Sequence, residues 1–98
     1  MTTLHIEHPI TDLGTWLGAF DSFAEARRNG GVRSERVRQP IDDGRYIVVD
    51  LEFDDPSAAA GFKEFLETVV WQNDDLSPGL DGTPTARLLH DVDRDRVQ

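Results

Sequence analysis

The sequence contains no cysteine and only one lysine, Lys63, among its 98 residues. Without cysteine it can form no disulfide, no thiolate zinc site and no thiol nucleophile. No apolar segment approaches the roughly 20 residues that a membrane-spanning helix requires. The first residues lack the basic head and apolar stretch of a signal peptide. We therefore expect a cytoplasmic protein that does not bind membranes.

Basic residues are also scarce, since 10 lysines and arginines face 19 acidic residues and leave a net charge of −9. This excess repels phosphate backbones, so nucleic acid is not an expected partner. A chain of this length forms one domain and buries only about 65% of its unfolded surface. We expect that domain to span residues 1–92, with a charged tail at residues 93–98.

The clearest pattern is a strand that leads directly into a capped helix. Residues 45–53 alternate as a strand does, Asp55 can cap the following helix, and Pro56 suits its first position. A looser copy opens the chain, where residues 4–9 alternate before a helix that Thr11 can cap. Apolar residues recur at helical spacing in both copies, so the sequence predicts two strand–helix units.

The rest of the chain supplies two more strands and a long loop. Residues 32–39 predict an edge strand, and the first helix is expected to run unbroken until Gly30-Gly31 ends it. Asp42 to Arg45 predicts a hairpin with positive φ at both central residues. Residues 73–84 predict a loop across a barrel mouth or a partner subunit, and residues 85–92 predict the last strand.

The predicted order is β-α-β-β-α-β, the ferredoxin-like arrangement of the α+β class. Both helices then cover one face of a four-stranded antiparallel sheet whose central strands are the first and third. The residues expected to face the helices are Leu4, Ile6, Ile47, Val49, Leu51 and Phe53. Those expected on the other face are His5, Glu7, Tyr46, Val48, Asp50 and Glu52. The last strand adds to that face either Arg87, Leu89 and Asp91, which we favour, or Leu88 and His90.

Several features together resemble the dimeric α+β barrel superfamily. They are Trp16, Arg27-Arg28 before Gly30-Gly31-Val32, Asp43-Gly44, residues 49–55 before an alanine-rich helix, and Gly82-Thr83-Pro84. In that superfamily two ferredoxin-like subunits join their sheets into one barrel. It includes cofactor-independent antibiotic-biosynthesis monooxygenases, polyketide cyclases, lactone isomerases and haem-degrading enzymes. The resemblance implies a homodimer joined through the sheet face, with a cavity between the two sheets.

The candidate catalytic residues are His5, Glu7 and Asp50. A carboxylate on the same face can orient His5 as a general base near neutral pH. Tyr46 or Arg87 could then stabilise developing enolate charge. The candidate ligand-binding residues are Tyr46, Glu52, Arg87 and Trp71.

Two plainer interpretations remain beside the catalytic one. The same polar residues are an ordinary solvated surface if the sheet face is open to water. Imidazole with carboxylates also suits divalent metals, but no known ligand spacing is present, so we expect neither a metal nor a cofactor. The tryptophan, histidine and asparagine set of haem-degrading members finds no match in this sequence.

Two functions follow as hypotheses. The first is a homodimer that binds a small aromatic or polyketide-like molecule in the inter-sheet cavity. The alternative is a cofactor-independent monooxygenase or cyclase/isomerase that uses His5 as its general base.

Overall fold

A computed structural model describes residues 1–94 of the chain. Its elements in chain order are β1 Thr2–Pro9, α1 Leu13–Ser22, α2 Ala24–Asn29, β2 Val32–Arg38, β3 Tyr46–Phe53, α3 Pro56–Phe65 and β4 Thr85–His90. One π-helical turn, Leu66–Val70, extends α3. Among the described residues no helix is both long and apolar enough to cross a bilayer. Residues 95–98 of the predicted charged tail lie outside the described part, and the domain boundary at residue 92 stays a prediction.

The strands form one antiparallel sheet in the order β2-β3-β1-β4. The prediction that the first and third strands are central is therefore confirmed. β1 and β3 pair along their whole lengths, from Thr2 opposite Phe53 to Pro9 opposite Tyr46. The architecture is the predicted α+β, ferredoxin-like one, with an additional break in the first helical segment.

The core lies between the sheet and the helices. All six residues predicted to face the helices are buried, with at most 5% of their surface exposed: Leu4, Ile6, Ile47, Val49, Leu51 and Phe53. α3 contributes Ala59 and Phe62, and the ring of Phe62 lies 5.9 Å from that of Phe53 between centroids. Alternation in the two central strands thus decides which face is covered.

The prediction of one unbroken first helix is wrong. The backbone leaves the helical conformation at Phe23 (φ −98°, ψ 13°), which separates α1 from α2. The Arg27 side chain reaches back and donates to the carbonyl of Phe20 in the last turn of α1, which also accepts from the Phe23 amide at 3.2 Å. The helical periodicity of the sequence continues through this break and therefore does not reveal it.

The predicted cap of the first helix is also corrected. Asp12, rather than Thr11, accepts a hydrogen bond from the Thr15 amide, at 2.8 Å, and another from the Thr15 hydroxyl. The Thr11 amide instead donates to the carbonyl of Gly79 at 2.8 Å. Both residue types are favourable at a helix N-cap. Which of the two caps α1 therefore depends on where the chain leaves β1.

The prediction that Gly30-Gly31 ends the helix is confirmed, since α2 ends at Asn29 and Gly31 has a φ of +100°.

The prediction of a hairpin with positive φ at Asp42–Arg45 is wrong, because every positive φ in residues 1–94 belongs to Gly31, Gly79 or Gly82. β2 and β3 are instead joined by a longer loop, residues 39–45. The Gln39 amide spans this loop by donating to the carbonyls of Gly44 and Tyr46.

The long loop, residues 73–84, packs against its own chain. The Asp81 amide donates to the Pro9 carbonyl at 3.2 Å, and Leu80 forms an isolated bridge with Ile10. These contacts hold the loop over the junction between β1 and α1. The loop therefore closes one end of the space between the helices and the sheet.

Candidate functional site

The sheet face opposite the helices, which we call the open face, carries most of the predicted site residues. His5 of β1 lies opposite Asp50 of β3 on one side and Arg87 of β4 on the other. Arg36 of β2 lies opposite Asp50, so β2 also contributes to this face. This places Arg87 and Leu89 on the face that the sequence favoured, while Asp91 follows the end of β4.

A continuous chain of hydrogen bonds, which we call the His5 network, crosses three strands of the open face. The Tyr46 hydroxyl donates to Glu7 Oε1 at 2.8 Å, and Glu7 Oε2 lies 2.8 Å from His5 Nε2. His5 Nδ1 lies 2.6 Å from Asp50 Oδ1, and Arg38 Nη2 donates to Asp50 Oδ2 at 2.6 Å. The structure thus brings the three candidate catalytic residues and Tyr46 together.

The surroundings of His5 favour its protonated form. The hydrogen bond to Glu7 is the main cause that raises the pKa of His5. Burial lowers this pKa by a smaller amount, and the hydrogen bond to Asp50 raises it further. The hydrogen bonds from His5 and Tyr46 lower the pKa of Glu7, which keeps its carboxylate ionised. Carboxylates only accept, so both ring nitrogens donate and the ring is an imidazolium. A cation in this state has no free nitrogen with which to remove a proton.

The other predicted ligand-binding residues are divided between two places. Glu52 lies on the open face, where its Oε1 accepts from the Thr3 hydroxyl at 2.9 Å. Arg87 is on the same face, and its positive charge contributes to the low pKa of Glu7. Trp71 does not join them, because it packs against the core on the helix side. Among residues 1–94, no three histidine, aspartate or glutamate side chains are placed to hold a metal ion.

A second candidate site, which we call the cavity, lies between the helices and the sheet. It has a volume of about 90 Å³. Its walls are mainly apolar and include the aromatic residues Trp16, Phe20, Phe23, Phe62, Phe65 and Trp71. Three polar side chains also line it: His8, Arg27 and Ser77.

Two irregularities of the helices shape the cavity. The break at Phe23 lets α1 and α2 present Phe20 and Arg27 to the same space. The π-helical turn, in which the Trp71 amide donates to the Leu66 carbonyl at 2.8 Å, ends next to Trp71 on the opposite wall. Single π-turns often occur where a helix is adapted to a functional site.

Arg27 lines the cavity and forms an ion pair with Glu35. Only 5% of the residue is exposed, and its Nε donates to Glu35 Oε2 at 2.7 Å. Its guanidinium carbon lies 3.6 Å from the centroid of the Phe20 ring, a cation–π contact. Because Glu35 and Phe20 already compensate its charge, Arg27 does not require an anionic ligand.

His8 is the other buried polar side chain that lines the cavity, with 4% of its surface exposed. Its Nδ1 lies 2.8 Å from the carbonyl oxygen of Pro9, which can only accept, so Nδ1 carries the proton. Burial lowers the pKa of His8, and the neutral ring leaves Nε2 as a free acceptor. That nitrogen has no hydrogen-bond partner within the described part of the chain.

Neither of these cavity residues is predicted as a site residue from the sequence. In the sequence, His8 continues the alternation of Leu4 and Ile6 along β1, and Arg27 continues the helical spacing of apolar residues such as Phe20. A signal was nevertheless present in both cases. A histidine and an arginine at positions where the apolar pattern continues are the residues that must find buried partners.

Comparison with known proteins adds information about the fold. No family model matches the chain, and no curated protein matches it either. Solved structures do match, and monooxygenases are among them. An antibiotic biosynthesis monooxygenase has a TM-score of 0.65 at 15% identity, covering 94% of this chain and 99% of that one. A monooxygenase of Streptomyces coelicolor in complex with nanaomycin D has a TM-score of 0.63 at 18% identity, covering 93% and 87%.

A third match is a dimeric ferredoxin-like protein from an uncultured marine organism. Its TM-score is 0.58 at 13% identity, with 93% of this chain and 97% of that one covered. The chain has the ferredoxin-like fold. Each match covers nearly the whole of both chains, so the likeness concerns the complete domain. At these identities it is a likeness of fold, and the functional argument depends on the residues themselves.

Proposed function

We propose that this protein binds a small aromatic molecule in the cavity and does so as a homodimer joined through the open face. The observation that carries the proposal is an aromatic-lined space with two buried polar side chains, His8 and Arg27. Binding sites for small molecules commonly combine apolar walls with a few polar groups that orient the ligand. The nanaomycin D complex of the S. coelicolor monooxygenase supports small-molecule binding by this fold.

The volume of the cavity suggests the size of its ligand. An engineered apolar cavity of about 150 Å³ holds benzene, and this one measures about 90 Å³. A single aromatic ring is therefore the size that fits with small adjustments of the walls. A larger ring system would require the loop at residues 73–84 to move outward, since Leu76, Pro78 and Leu80 form one wall.

From the sequence we expect the ligand between the two sheets of a dimer. We propose instead that it binds on the opposite side of each sheet, between the sheet and the helices. The polar groups of the His5 network satisfy one another within the chain. The cavity instead offers apolar surface, whose removal from water favours binding by roughly 25 cal/mol per Å².

We expect toluene to bind wild-type protein saturably and to change the fluorescence of Trp16 or Trp71, which both line the cavity. The variant Ala19→Leu should bind at least about tenfold more weakly, because one added methylene in an apolar pocket already has an effect of that size. Ala19 lines the cavity. The control is Ala24→Leu, the same substitution at an exposed position of α2. Absence of saturable binding, or equal affinity in the two variants, would contradict the proposal.

The homodimer is supported by the charge balance of the open face. Within the described residues this face carries three carboxylates, Glu7, Asp50 and Glu52, and three guanidiniums, Arg36, Arg38 and Arg87, beside the His5 imidazolium, so it has no excess of negative charge. The whole chain has a net charge of −9, so this face can approach its copy with less repulsion than other surfaces. The dimeric ferredoxin-like neighbour supports the same assembly.

The second candidate function is a cofactor-independent monooxygenase or cyclase/isomerase. The monooxygenases among the structural neighbours favour it. The role of His5 as general base has less support, because both of its ring nitrogens are engaged by carboxylates. Oxygen uptake in the presence of a molecule that binds the cavity would distinguish a monooxygenase from a binding protein.

A further inference from the structure

His8 presents to the cavity wall a ring nitrogen that is free to accept a hydrogen bond. Arg27 is paired with Glu35 and with the Phe20 carbonyl, and the Ser77 hydroxyl donates to the Asn73 carbonyl at 2.9 Å. The free atom of His8 is Nε2, an acceptor in a ring that is 4% exposed. Among residues 1–94 no fully buried side-chain nitrogen or oxygen lacks a hydrogen-bond partner, so this nitrogen keeps contact with solvent and is open to a donor that enters the cavity.

We infer that His8 Nε2 accepts a hydrogen bond from a hydroxyl group on the bound ring, so that the cavity prefers a neutral phenol to the same ring without a donor. This inference rests on the proposed function, since it requires the cavity to be the binding site. It adds a specificity-determining residue and narrows the ligand to uncharged aromatic molecules that carry an O–H group.

The orientation of His8 and the aromatic rings beside it agree with a preference for a phenol. The hydrogen bond from Nδ1 to the Pro9 carbonyl fixes both the tautomer and the orientation of the ring. The ring of Trp16 lies 6.3 Å away between centroids, tilted by 57°, and stacks in turn on Phe20 at 4.9 Å. An aromatic ligand can therefore contact these rings while its hydroxyl points at Nε2.

The charges of the cavity argue for a neutral ligand. Burial lowers the pKa of His8, so the ring is uncharged near neutral pH. The only other ionisable side chain that lines the cavity in the described residues is Arg27, which Glu35 compensates. A carboxylate or phenolate would enter this apolar space without a free cation to meet it, at a high desolvation cost.

The test compares phenol with toluene, which has nearly the same shape, by calorimetric titration of the wild-type chain and of His8→Phe. We expect the ratio of phenol affinity to toluene affinity to fall about 2- to 10-fold in the variant, the usual range for one hydrogen bond. The matched control is His90→Phe. His90 also directs Nδ1 at the next carbonyl, that of Asp91 at 3.0 Å, but it is exposed and does not line the cavity.

A measurement on the wild-type protein avoids any effect of the substitution on folding. The nitrogen signal of unprotonated His8 Nε2 should shift on saturation with phenol and stay in place with toluene. An unchanged signal, or an affinity ratio equal in wild type and His8→Phe, overturns the inference while leaving binding in the cavity intact. If neither phenol nor toluene binds, the proposed function fails and the inference with it.

Discussion

At the scale of single residues, the position of His5 between two carboxylates decides the sign of its contribution to stability. Its pKa in the folded chain lies above the ordinary value of 6.5. The folded state therefore binds the proton more tightly than the unfolded state does. The resulting stabilisation is complete below the unfolded pKa and is lost as the pH rises through the folded pKa.

We therefore expect His5→Gln to destabilise the protein most in mildly acidic buffer, by about 1 kcal/mol, the upper range for a partly exposed ion pair. The difference from wild type should shrink in alkaline buffer, where His5 is neutral in both states. Urea unfolding at a series of pH values measures it, with exposed His90→Gln as control. The measurements should stay above the range in which Glu7 titrates, because its lowered pKa acts in the opposite direction. A difference that grows with pH would contradict the assignment.

At the scale of elements, the entry into α1 separates two residues that the sequence makes equivalent. Asp12 accepts from both the amide and the hydroxyl of Thr15, and these hydrogen bonds lower the pKa of Asp12. Thr11 uses only its backbone, in the contact with Gly79. The structure therefore gives the capping function to the second residue of the pair.

Asp12→Ala should lower the urea midpoint of unfolding, whereas Thr11→Ala should leave it nearly unchanged. The loss in Asp12→Ala should be present at neutral pH and disappear in acid, because a carboxyl whose folded pKa is lowered stabilises only above its unfolded pKa. Helix content measured by circular dichroism in both variants provides the check. A larger loss in Thr11→Ala would show that the cap is at Thr11.

At the scale of the whole molecule, the proposed homodimer depends on the open face. Leu89 on this face and Val69 on the helix side are both 43% exposed. They offer a matched pair, since the same charge can be added to equally exposed apolar positions on opposite sides of the sheet.

Light scattering after size exclusion should give the mass of two chains for the wild type. Leu89→Asp should give the mass of one chain, because it adds an unpaired negative charge to the proposed interface. Val69→Asp should remain a dimer. A wild-type chain that is monomeric at every concentration tested, or a dimer that Leu89→Asp leaves unchanged, would contradict association through the open face.

Much of the fold could be predicted because its signals are local. Alternation in β1 and β3 separates Leu4 and Ile6 from His5 and Glu7 without knowledge of any other segment. The break at Phe23 could not be predicted, because the helical spacing of apolar residues continues across it. The loop between Arg38 and Tyr46 was misjudged, since an Asp-Gly pair is also compatible with longer loops that do not use positive φ.

The sequence by itself determined the strand and helix order, the covered face of the sheet and the presence of His5 and Glu7 on the other face. Only the tertiary structure decided that Asp50 meets His5 on its second nitrogen, which turns a candidate base into an imidazolium. It also decided that His8, Arg27 and Trp71 line one cavity. The physical reason is that periodicity is a property of one segment and can be read from it alone. The partners and protonation of each buried polar group depend on strand register and on the packing of segments that are distant in the sequence.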